Sequence, residues 1–133
     1  MRALFLTTRT VDCANHVRAW ESVFGNAAVW TYIHTGPRPH RLVVNCWQAT
    51  AMAEHERPDV VFWIGACDAP NNPKLSTFAA LRGIAPVVNI CSDATDWPWH
   101  KALGEYRAAG CFDLQVGIDG FNDDGEYVDL PTL

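Results

Sequence analysis

Three short apolar runs in the second half of the chain each end at a polar, acidic or glycine-containing corner. They are Asp59-Val60-Val61-Phe62-Trp63-Ile64-Gly65, Pro86-Val87-Val88-Asn89-Ile90-Cys91 and Phe112-Asp113-Leu114-Gln115-Val116-Gly117-Ile118. Two stretches with helical spacing separate them. Strands rich in Val, Ile and aromatics that alternate with helices predict a parallel sheet covered on both faces. Such sheets collect their chemistry in the loops after the strand C-termini. Here those loops carry Cys67 and Asp68, then Asp93 to Asp96, then Asp119 and Gly120.

The first half fits the same rhythm. Residues 3–6 read as a first strand, and Asp12 suits the N-cap of a helix whose Cys13, Val17, Trp20 and Phe24 share one face. Gly25 and Asn26 end that helix, and 28–33 reads as a second strand. A second helix is expected over 40–56 with Val43, Trp47 and Ala51 facing inward, stopped by Pro58. Strand three covers 59–64. Helix three covers 74–82, burying Leu75, Phe78 and Ala79, with Gly83 as its cap. Strand four covers 86–91, a fourth helix places Trp99, Leu103 and Tyr106 in register, and strand five covers 112–118. Residues 126–130 suit a short edge strand. The expected fold is one α/β domain spanning 1–133: a doubly wound, mostly parallel five-stranded sheet in the order 3-2-1-4-5, helices on both faces, and a short sixth edge strand.

Composition removes several function classes. A net charge of −5 opposes binding to a phosphate backbone, so no nucleic-acid partner is expected. The longest apolar runs fall far short of the roughly 20 residues that span a bilayer. Five cysteines without a Cys-x-x-Cys pair read as buried free thiols, which implies a reducing, cytoplasmic setting. The first strand-to-helix turn, Thr7-Thr8-Arg9-Thr10-Val11-Asp12, lacks the glycines that let backbone approach a pyrophosphate, and its helix start is already acidic. A dinucleotide cofactor is therefore not expected, and a hydroxyl-rich phosphate loop is excluded less firmly. The acid pair of signalling receiver domains is missing after strand one. Cys13 precedes Arg18 by one residue too few for the phosphatase Cys-x5-Arg loop.

The segment Ser92-Asp93-Ala94-Thr95-Asp96-Trp97-Pro98-Trp99-His100 is the richest in chemistry. Asp93, Asp96 and His100 suit oxygen and imidazole ligation of a cation, but acids beside a proline are also what a helix N-terminus favours. Capping is the preferred reading, and no metal or cofactor is assigned. Asp68, Asp93 and Asp119 each follow a strand and together form an acidic rim able to accept hydrogen bonds from sugar hydroxyls or to hold magnesium.

The stretches Pro58-Asp59-Val60-Val61-Phe62-Trp63-Ile64-Gly65, Leu81-Arg82-Gly83-Ile84-Ala85-Pro86-Val87-Val88, Cys91-Ser92-Asp93, Tyr106 and Phe112-Asp113-Leu114 resemble the N-terminal half of GT-B type glycosyltransferases. There a P-D-V-V strand is followed by a helix, a G-I-P-V-V strand and an acid-containing corner. The resemblance covers roughly residues 55–120. It implies an acceptor-side half that binds a sugar or glycan, with the nucleotide sugar held by a separate donor-binding domain and the isolated chain inactive. Thr8, Arg9, Gly65, Asp68, Asp93, Asp96, His100 and Asp119 are the candidate substrate-binding residues. No catalytic residue is assigned. Two other readings compete: a small magnesium-dependent hydrolase using the acidic rim, and a non-catalytic binding module, with a homodimer as a possible assembly.

Overall fold

A computed structural model describes residues 1–7, 18–19, 21–25, 27–31, 38–64, 73–91, 99–117 and 128–129. In chain order these form β1 (Ala3–Thr7), a helical segment at 18–19 and 21–24 (α1), β2 (Ala27–Thr31), α2 (Arg38–Glu56), β3 (Val60–Ile64), α3 (Leu75–Arg82), β4 (Val87–Cys91), α4 (Trp99–Ala108), β5 (Leu114–Gly117) and β6 (Val128–Asp129). All six strands join one parallel sheet. The α/β architecture and the short sixth strand at the edge match the pattern of apolar runs.

The strand order is β2-β1-β3-β4-β5-β6. The expected order 3-2-1-4-5 is therefore corrected: β3 lies beside β1, not outside β2. Right-handed crossovers allow either order, so local pattern leaves the choice open. Contacts distant in sequence make it. The Phe5 and Phe62 rings stack with centroids 5.0 Å apart. Arg2 N donates to Asp59 Oδ2 at 2.6 Å, and Asp59 N donates to Arg2 O at 2.8 Å. These interactions bring the start of β3 against the start of β1.

Helices α2, α3 and α4 bring residues to one face of the sheet. Leu4, Leu6, Val61, Trp63, Val87 and Cys91 meet Ala49, Ala53, Phe78 and Leu81 there, with Tyr106 packed alongside. The opposite face buries Ala3, Phe5, Phe62, Ile64, Ile90 and Val116, with Phe24 of α1 against it. One crossover runs from β1 outward to β2, and the later ones run the other way. Right-handed connections in opposite directions place their helices on opposite faces.

Helix phase departs from expectation in two places. Val43 and Trp47 point outward, 59% and 69% exposed, and the buried stripe of α2 is Asn45, Ala49 and Ala53. Small side chains at i and i+4 let the helix lie close over β1 and β2, where a tryptophan would hold it off. On α3 the buried residues are Thr77, Phe78 and Leu81, whereas Leu75 and Ala79 are exposed. Phe78 anchors this helix, edge-on to Trp63 at 4.7 Å and to Phe112 at 5.0 Å. Of the residues expected on the inner faces of the first and fourth helices, Phe24 and Tyr106 pack as expected. The side chains of Cys13, Val17, Trp20, Trp99 and Leu103 lie outside the described residues.

Gly25 and Gly110 follow α1 and α4 with φ of 64° and 63°, the left-handed conformation that ends a helix at little cost for glycine. Cys91 and Cys111 are buried, and Cys46 is half-buried. Among the described residues, no helix is long and apolar enough to cross a membrane.

Candidate functional site

An all-parallel sheet brings every strand C-terminus to one edge. Here that edge is formed by Thr31, Thr7, Ile64, Cys91, Gly117 and Asp129. The chain leaves β1 toward β2 on one side and later returns to place β3 on the other. The order reverses between β1 and β3, and a crevice at such a reversal is where ligands bind in open α/β sheets. In the expected order 3-2-1-4-5 the reversal would instead have fallen between strands one and four. Thr7 and Ile64, the last residues of the two flanking strands, are both buried.

Seven of the eight candidate residues follow these strand ends in sequence but lie outside the described residues. Thr8 and Arg9 come after Thr7, Gly65 and Asp68 after Ile64, Asp93 and Asp96 after Cys91, and Asp119 after Gly117. The eighth, His100, is the second residue of α4. No contact among the eight is therefore established. Among the described residues, no cluster of three His, Cys, Asp or Glu side chains suits a metal ion.

Much of the described ion pairing sits at the other edge, where the strands begin. Asp113 N donates to Val87 O and Asp113 Oδ2 accepts from Val87 N, each at 2.8 Å. Asp59 makes the same two-point clamp on Arg2. Arginines brace both clamps. Arg82 Nη2 and Nε reach Asp113 Oδ1 at 2.6 and 3.1 Å, its Nη1 donates to Gly110 O, and Arg2 pairs with Glu56. The hydrogen bond from Arg82 holds the Asp113 carboxyl below its ordinary range, against a smaller desolvation effect, and the same contact raises Arg82. Burial pushes the Cys111 thiol up, opposed by Arg82 nearby. The aspartates of the P-D-V-V and F-D-L stretches thus do a structural job far from the crevice.

Nearer the C-terminal edge, sequence reasoning passed over a pair of residues. Asn89 is paired in register with Trp63 on one side and with Gln115 on the other. Alternation along β4 puts Asn89 on the same face as Val87 and Cys91, beneath α3 and α4. Asn89 is 0% exposed and Gln115 is 8% exposed. All four amide heteroatoms are buried without a hydrogen-bond partner among the described residues. Each unmet buried polar group costs about 1–3 kcal/mol. The available signal was a break in pattern, because a parallel strand buried on both faces should read as a continuous apolar run. Val87-Val88-Asn89-Ile90-Cys91 and Leu114-Gln115-Val116 each contain one exception.

Comparison of the sequence with protein-family models and with curated proteins gives no match.

Proposed function

We propose that this chain is the acceptor-binding half of a glycosyltransferase-like enzyme, taking a sugar or glycan at the crevice above β1 and β3. The observation that carries this reading is the reversal of strand order beside β1 in an all-parallel sheet. Because Asp59 and Asp113 serve the opposite edge, the weight falls on residues that follow the strand ends. Thr8, Arg9, Gly65 and Asp68 come next after the two flanking strands. Asp93, Asp96, His100 and Asp119 belong to the neighbouring ones. Carboxylates accept hydrogen bonds from sugar hydroxyls, and a chain with net charge −5 disfavours polyanionic ligands. A donor-binding domain supplies the nucleotide sugar in this reading.

The test is a pair of assays on the chain alone. Incubation with nucleotide sugars and saccharide acceptors should give no transfer, while saturation-transfer NMR should detect saccharide binding that Arg9→Ala and Asp93→Ala weaken. Transfer by the chain alone would refute the half-enzyme reading, and so would the absence of any saccharide signal. A non-catalytic assembly module is the second reading, favoured by the outward Val43 and Trp47 one turn apart on α2. Light scattering that gives a strict monomer at high concentration removes it.

A further inference from the structure

The amides of Asn89 and Gln115 deepen the reading above and rest on it. Neighbouring parallel strands hold the two residues side by side on the face beneath α3 and α4. Both are more than nine-tenths buried, and their amide nitrogens and oxygens make no hydrogen bond among the described residues. A close-packed sheet gains nothing from such a pair. Leucine and methionine of similar size would fill the same space without the desolvation cost. Where a sequence departs from the pattern its fold prefers and nothing local compensates, function is the usual reason.

The chemistry narrows the ligand. A primary amide donates and accepts at once and carries no charge. Two of them together match a neutral ligand whose groups also donate and accept, as sugar hydroxyls do. Arg82 and Asp113, at the strand starts, are paired with each other.

We propose that Asn89 and Gln115 are saccharide-binding residues, a paired amide contact that extends the acceptor site down the face of β4 and β5. The amide atoms are closed to water in the present conformation. Binding in this proposal therefore requires the helical layer over β4 and β5 to open. The described packing of α4 on the aromatic core is Tyr106, with its ring 5.3 Å from Phe78 and 5.8 Å from Phe112.

The experiment compares the parent chain with Asn89→Leu, Gln115→Met and the double variant. Thermal melting is measured alongside saturation-transfer NMR against glucose, galactose, mannose and N-acetylglucosamine. The expected result is a melting temperature equal to or above the parent's in every variant, together with saccharide binding weakened about tenfold, the loss of one hydrogen bond's worth of affinity. A melting temperature several degrees below the parent's overturns the proposal, because the amides would then be satisfied structural groups. Undiminished saccharide binding in the double variant overturns it too, while leaving the acceptor reading intact. A parent that binds none of the four sugars overturns both.

Discussion

The edge where the strands begin and the layer just below the edge where they end treat polar groups in opposite ways. At the first, Asp59 and Asp113 each bind both backbone groups of one residue at or just before the start of the neighbouring strand, and arginines brace the result. At the second, two amides lie side by side in the interior with no partner among the described residues. The same parallel sheet supports both. The difference shows that polar residues at the strand starts secure register, whereas those within β4 and β5 add nothing evident to stability. The aspartates that look like a family motif secure the strand starts instead.

The largest test of this contrast lies beside the amides. Phe78 packs edge-on against Trp63, Tyr106 and Phe112. Phe78→Ala should destabilise the domain by about 3–5 kcal/mol in urea unfolding, through lost burial and the cavity left behind. If Asn89→Leu costs a comparable amount, the two amides are integral to the core and the contrast fails.

A smaller effect tests the clamps. Asp113→Ala removes the acceptor for Val87 N and the partner of Arg82. A cost of about 1 kcal/mol is expected, at the low end for a charged hydrogen bond because the carboxylate is a third exposed. The pH dependence sharpens it. The native carboxyl titrates below its unfolded value, so its contribution is present above about pH 4 and is lost as pH falls through the depressed native value. Urea midpoints at pH 7 and pH 3 should therefore converge between the parent and Asp113→Asn as the solution is acidified. A gap that stays constant with pH would show that Asp113 acts through packing alone.

The smallest effect belongs to the outer face of α2. Trp47→Ser should change stability by no more than about 0.5 kcal/mol, since the side chain is 69% exposed. A larger loss in a chain shown by light scattering to be monomeric would mean that Trp47 packs on the domain itself.

Much of the architecture was legible in the residues. The runs Val60–Ile64 and Val87–Cys91 announced buried parallel strands because both faces of such strands demand apolar side chains. Gly25 marked a helix end because the left-handed turn there costs other residues more. The candidate site was legible only as an edge. Chain order says that Arg9, Asp68, Asp93 and Asp119 follow strands, and a parallel sheet sends all strand ends the same way.

Helix phase and strand order were not legible, for one shared reason. The inward turn of Ala49 and Ala53, and the outward turn of Trp47, depend on how closely α2 approaches β1 and β2. That distance belongs to no single segment. The pairing of β1 with β3 depends on Phe5 meeting Phe62 and on Arg2 meeting Asp59, which lie more than fifty residues apart. The amino-acid order by itself determined which segments are strands and helices and that the sheet is of the parallel, two-sided kind, because those follow from local periodicity and turn chemistry. Only the tertiary structure decided which strands are neighbours, where the order reverses, and that Asn89 would lie beside Gln115. Those follow from contacts between residues that the chain keeps far apart.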